Sequence, residues 1–169
     1  MTSRLDRMIA RLITQRAFIE YAATLLPSIP GPILEIGLGK GRTFSHLRVL
    51  FPDRPIFAFD REIHAPDDCV PDMQFMMLGD FRQSVPAVAA KLPAKAAFAH
   101  ADIGTFGRAG DAELAAFLAE QLPALLAPGA VVIGDREMRT RRLAPLPAPA
   151  VPLPRGIDPW PYFIYRLVP

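Results

Sequence analysis

Asparagine is absent from the 169-residue chain, and cysteine occurs once, at Cys69. A lone cysteine excludes an intrachain disulfide and fits a reducing compartment, so a cytoplasmic protein is expected. An imbalance of charge is lacking too. The 19 Lys and Arg oppose 17 Asp and Glu, for a net charge of +2. That is too even to argue for nucleic acid by itself. The first residues, MTSRLDRMIARLITQR, are broken by charge every few positions. They have neither the apolar centre of a signal peptide nor the length of a membrane span. No internal repeat is visible.

What the chain does have is apolar mass, 51% of its residues, in a length suited to one domain with a real core. Hydrophobic spacing predicts a leading amphipathic helix over residues 3–26. Its stripe is Leu5, Met8, Ile9, Leu12 and Ile13, continued by Ala22, Leu25 and Leu26. That stripe needs a partner surface, either the functional cleft or a second copy of the chain. Short strands then alternate with helices. Strands are expected at 33–36, at PIFAFD (55–60), MQFMMLGD (73–80), AAFAHAD (96–102) and PGAVVIGD (128–135), with a last one at YFIYRLV (162–168). Helices are expected over 43–51, from a cap at Ser84, and from a cap at Asp111 with a kink at Pro123. This alternation predicts an α/β fold, a mostly parallel sheet with helices on both faces. The chain divides into the leading helix to residue 27, a core over 33–135, and a proline-rich loop with a last strand over 143–169. That loop reads as a stiff surface connection or as a wall of the substrate pocket.

The stretch ILEIGLGKGRT, residues 33–43, carries the chemistry. A buried strand ends in Glu35, and glycines follow at 37, 39 and 41. Such a turn lets a ligand approach the backbone closely. The dinucleotide pattern G-x-G-x-x-G fails, because Arg42 and Phe44 stand where its third glycine is needed. The phosphate loop fails as well, since Gly41 follows Lys40 in place of Ser or Thr.

The remaining pattern, E-x-G-x-G-x-G, resembles the first motif of the class I S-adenosylmethionine-dependent methyltransferases. Asp60, about twenty residues on, matches the acid ending that class's second strand, and Gly79-Asp80 the acid after the third. The resemblance runs from about Ile33 to Asp135. GLGKGRTFSHLR, GD, HADIG and YFIYR look like a small bacterial branch of it. The resemblance implies S-adenosyl-L-methionine as cofactor and a methyl acceptor of its own. The acceptor is expected to be a small molecule; the alternative is a cofactor-binding protein that acts on or docks to RNA or protein. The basic clusters Arg4, Arg7 and Arg11, and Arg139, Arg141 and Arg142, would serve that alternative.

In the cofactor site so implied, Gly37, Leu38, Gly39 and Gly41 form the turn. Asp60, with Arg61 beside it, accepts from the ribose hydroxyls. Gly79, Asp80 and Phe81 meet the adenine. Glu35 orients the ammonium, and Arg42 or Arg16 faces the carboxylate. His100 and Asp102, at the end of the fourth strand, are candidates for the proton acceptor and its orienting acid, with His100 also a cofactor contact. Plainer alternatives stand beside each: Asp60 and Asp80 as turn caps, Glu35 as a structural acceptor, the arginines as surface charge, His100 as packing and Asp102 as a cap. The Asn/Asp-Pro-Pro-Tyr motif is absent, and Cys69 lies outside the position of a cytosine C5 nucleophile. Asp102 and Asp135 imitate the acids of the metal-dependent catechol-type enzymes, but the adjoining asparagine is missing. No metal is expected, and His46 and His64 read as surface or turn residues.

Overall fold

A computed structural model describes residues 2–26, 28–105 and 110–169. Five parallel strands form the centre: β1 (Ile33–Ile36), β2 (Ile56–Asp60), β3 (Met76–Leu78), β4 (Ala96–Ala101) and β5 (Leu126–Gly134). β7 (Phe163–Leu167) lies antiparallel to β5, and β6 (Leu143–Pro145) antiparallel to β7. The order is β3-β2-β1-β4-β5-β7-β6. The direction of winding therefore reverses between β1 and β4, which opens a crevice beyond their carboxyl ends. The register brings Ile36 level with both Phe59 and Ala101, so β1, β2 and β4 end together there.

The strands are apolar on both faces because helices cover both. Alternate residues enter two cores. Ile33 and Phe98 pack with Phe18, Ile19, Phe44 and Leu47, from α1 (Arg4–Thr24) and α2 (Arg42–Leu50). Leu34, Ile36 and Ala99 pack with Val85, Leu118 and Leu122, from α3 (Phe81–Ala87) and α4 (Asp111–Leu125). Among the described residues no helix is long and apolar enough to cross a membrane.

Four local expectations are corrected. α3 starts at Phe81, and its cap is Asp80, which accepts from the Arg82 N–H at 2.8 Å. Ser84 is an interior residue, because an acid four positions earlier already caps the helix. Asp111 is the first residue of α4, with Gly110 as its N-cap. Residues 73–75 form a 3-10 turn before β3. The proline-rich region contains β6, which its prolines permit because it is the outermost strand.

The largest departure is the stripe of α1. Its buried residues are Ala10, Thr14, Gln15, Phe18, Ile19 and Ala22, whereas Leu5, Met8 and Leu12 are 69%, 42% and 40% exposed. The second half of α1 is bound to the sheet. The first half overhangs the crevice, so its apolar side chains face open space. Ile19→Ala is therefore expected to cost about 2–4 kcal/mol in urea unfolding, as a core truncation does. Leu5→Gln should change the midpoint by little. Equal costs at the two positions would contradict this division of the helix.

Candidate active site

The glycine turn is shaped by its neighbours. The N–H groups of Gly37 and Leu38 both donate to the Phe59 carbonyl at 3.0 Å, which ties the end of β1 to β2. Gly37 has φ +97°, and a β-carbon there would lie 2.3 Å from the Asp102 carbonyl oxygen. Only glycine lets β1 and the segment after β4 approach so closely. Gly39, at φ +52°, differs: a β-carbon there would meet nothing within 4 Å. Its backbone faces space in which a ligand can lie.

That space is a cavity of about 640 Å³ beyond the ends of β1, β2 and β4. Asp60 stands on its wall, fixed by the N–H of Gly39 to one oxygen (2.8 Å) and that of Arg61 to the other (2.7 Å). Each oxygen keeps a lone pair for a further donor. Met8, Arg11, Leu12 and Gln15 of α1 form another wall, and Asp102 to Thr105 with the start of α4 complete it. The lining carries both signs of charge, with Asp60 and Asp102 set against Lys40 and Arg42.

Beneath the cavity runs a chain of buried polar groups. Glu35 and His100 have no exposed surface. Thr43 Oγ1 donates to Glu35, whose other oxygen lies 2.6 Å from His100 Nδ1. His100 Nε2 meets the Tyr162 hydroxyl at 2.5 Å. Burial alone would push the His100 pKa down. The charge and hydrogen bond of Glu35 outweigh it, and the net shift is upward. The imidazole is thereby held toward its charged form, with both nitrogens engaged. Burial, reinforced by the surrounding carboxylates, raises the Tyr162 phenol well above its ordinary value, so it stays protonated.

Gln15, hydrogen-bonded to Tyr162, joins this chain to α1, and Asp102 is tied to the same helix. Arg11 Nη2 reaches the two Asp102 oxygens at 2.8 and 2.7 Å, and Gln15 Nε2 donates to the same carboxylate at 2.7 Å. Asp135 accepts from the N–H groups of Ile103 and Gly104 and pairs with Arg136. Burial, then the nearby Asp102 charge, lifts its pKa to about 6. Asp111 accepts from the Thr105 N–H and hydroxyl and pairs with Arg136.

Of the residues singled out by sequence, Gly37, Leu38, Gly39, Arg42, Asp60, Arg61, Phe81 and Asp102 line the cavity. Glu35, Gly41, Gly79, Asp80 and His100 do not. Glu35 is turned into the core toward Thr43 and His100. Gly41 packs on Cys69, and Asp80 caps α3 while pairing with Arg61 at 3.1 Å. Arg16 points away and pairs with Glu20. The arginine of α1 that reaches the cavity is Arg11. Sequence reading missed Arg11, Gln15 and Tyr162 as site residues. The i, i+4 spacing of Arg11 and Gln15, which puts them on one helix face, was the available signal for that pair. Among the described residues no group of three or more His, Cys, Asp or Glu side chains could hold a metal ion.

A family model described as S-adenosyl-L-methionine methyltransferase matches residues 2–167. The crystal structure of an S-adenosyl-L-methionine methyl transferase from Silicibacter pomeroyi DSS-3 is 34% identical, with a TM-score of 0.84 over 98% of this chain and 99% of that one. An O-methyltransferase from Bacillus cereus, solved with S-adenosylhomocysteine, is 15% identical with a TM-score of 0.58 over 99% and 98% of the two chains. TrmN from Thermus thermophilus is 17% identical with a TM-score of 0.59, over 88% of this chain and 48% of its own. These last two share the fold. No curated protein matches the chain.

The Glu35–His100 pair should be visible in the pH dependence of stability. Folding raises the His100 pKa above its unfolded value of about 6.5. Its contribution is complete below that value and is lost as pH rises through the folded-state pKa. Asp135, whose raised pKa lies near 6, lowers stability as pH rises from about 3.8 to 6, and its effect is constant above that window. The difference in unfolding free energy between wild type and His100→Gln should therefore shrink as pH rises above about 6.5. A difference constant from about pH 5 to 9 would contradict an ionised pair.

Proposed function

Because the chain belongs to the S-adenosyl-L-methionine methyltransferase family, and so takes its methyl group from that cofactor, we propose that its acceptor is a small molecule. The observation that carries this reading is the roof. α1 lies across the cavity and is tied to the end of β4 by Arg11 and Gln15 on Asp102. An acceptor must fit under or beside that helix, which suits a molecule of metabolite size better than a nucleic-acid strand.

The residues on the cavity wall fit the cofactor. Its ribose has two adjacent hydroxyls, which the anchored Asp60 carboxylate can accept from. Its methionine end carries both charges, and the cavity offers both. The open backbone at Gly39 leaves room for it, and Phe81 offers an aromatic face for the adenine. When bound, the cofactor would supply an electrophilic methyl carbon for the acceptor's lone pair, its sulfur would keep the electrons of the broken bond, and the acceptor would give up a proton. The protein's share is mostly positioning. Asp102, on the wall between β4 and α1, is assigned to the acceptor side, where it orients the nucleophile or takes its proton. His100, behind the wall, is a positioning residue that holds β1, β4 and the last strand in register through Glu35 and Tyr162.

Two experiments test this. In a clarified bacterial extract fed with donor labelled in its methyl group, label should collect in acid-soluble small molecules. Label confined to RNA or protein would overturn the small-acceptor reading. Two substitutions then separate donor binding from acceptor handling. Asp60→Ala should weaken S-adenosylhomocysteine binding by about 1.5–3 kcal/mol in calorimetry. Asp102→Asn should leave that affinity within about threefold and lower turnover at saturation about 10²-fold or more. Lost affinity with unchanged turnover would make Asp102 a donor contact.

A further inference from the structure

A second cavity, of about 390 Å³, lies against the first. It is lined by Arg4, Arg7, Met8, Arg11 and Trp160, and it shares Met8 and Arg11 with the cofactor cavity. Among the described residues its lining contains three arginines, an aromatic ring and no carboxylate. Asp102 balances Arg11. Arg4 and Arg7 have no ion-pair partner among the described residues. They stand one helical turn apart on the same side of α1, and no packing role accounts for them, since both are exposed.

Trp160 is the chain's single tryptophan. The segment that carries it is fixed to α1, because its backbone N–H donates to Thr14 Oγ1 at 3.1 Å. The Arg11 guanidinium lies 6.0 Å from the centre of its ring. The cavity therefore has an apolar, flat wall and a cationic rim. Such a pair of surfaces suits a ligand with a ring at one end and a negative charge at the other. Resting on the methyltransferase reading above, we propose that the methyl acceptor is an anionic, ring-bearing small molecule. Its ring packs on Trp160, and its carboxylate, sulfonate or phosphate is held by Arg4 and Arg7. Its nucleophilic end passes Met8 into the cofactor cavity.

The proposal is tested with 2-naphthoate as probe and the fluorescence of Trp160 as readout. Naphthoate should change the emission saturably. Naphthalene-2-carboxamide, the same ring without the charge, should bind about tenfold or more weakly, a difference of about 1.4 kcal/mol per factor of ten. The double substitution Arg4→Ala, Arg7→Ala should weaken naphthoate by a similar factor and flatten its salt dependence. Its thermal melting and its affinity for S-adenosylhomocysteine should match wild type. Saturating S-adenosylhomocysteine should leave naphthoate binding in place. Equal binding of acid and amide, indifference to the two arginines, or no saturable change would overturn the proposal. Competition between naphthoate and S-adenosylhomocysteine would overturn it as well, because the probe would then sit in the cofactor cavity. Failure of S-adenosylhomocysteine to bind wild type would instead remove the methyltransferase reading, whatever naphthoate does.

Discussion

A carboxylate and an imidazole meet at 2.6 Å in the middle of the sheet, with no solvent on either. Each would be costly to bury alone, and together they are tolerable only because every neighbouring atom is spoken for. Glu35 sits on β1 and His100 directly beside it on β4. Thr43 reaches the pair from α2 and Tyr162 from the entrance to β7. The central strands, the helix after the glycine turn and the far side of the sheet all converge on it. A slip of one residue in β1 or β4 would turn one partner to the opposite face and leave the other unpaired. The pair thus fixes the register on which the crevice above it depends.

The same polar chain extends upward. Asp102 lies just past the end of β4, bound to Arg11 and Gln15 of α1, and Gln15 in turn meets Tyr162. The close approach of Gly37 to the Asp102 backbone sets how far that segment stands from the glycine turn. Buried strands, cavity floor and helical roof are therefore linked by short-range contacts whose geometry leaves little slack. This is an arrangement suited to a reaction in which alignment supplies much of the rate.

Much of this was legible in the sequence. The apolar strands ending in Glu35, Asp60, Asp80 and Asp102, with glycines between the first two, disclosed the parallel sheet and the crevice. The pattern tells which residues end a strand. It does not tell which way a side chain at that end turns. Glu35 and His100 have the composition of ligands yet face the core, because each finds its partner in the other. Strand alternation puts His100 and Asp102 on one side, but two residues of advance along the chain separate full burial from the cavity wall. The stripe of α1 misled for a related reason. Periodicity reports an apolar face and is silent about what lies opposite: Met8 and Leu12 face a crevice, and Leu5 is exposed. Arg11, Gln15 and Tyr162 were hidden because their partners are remote in the chain.

That remoteness has a consequence for how the chain is made. α1 precedes every strand in the chain. Its anchor to Asp102 spans 91 positions, and its link to Trp160 spans 146. The first cannot form before Asp102 has been made, and the second must wait for almost the whole chain; contacts of such long range demand that a large loop be closed before they return anything. During translation the helix must wait with Phe18, Ile19 and the exposed leucines of its first turns unpaired, while the sheet assembles behind it. The site is consequently the last part of the molecule to acquire its shape. A nascent or truncated chain that has built β1 to β5 would carry the glycine turn and Asp60 but lack both the Trp160 contact and the strand that brings Tyr162 to His100.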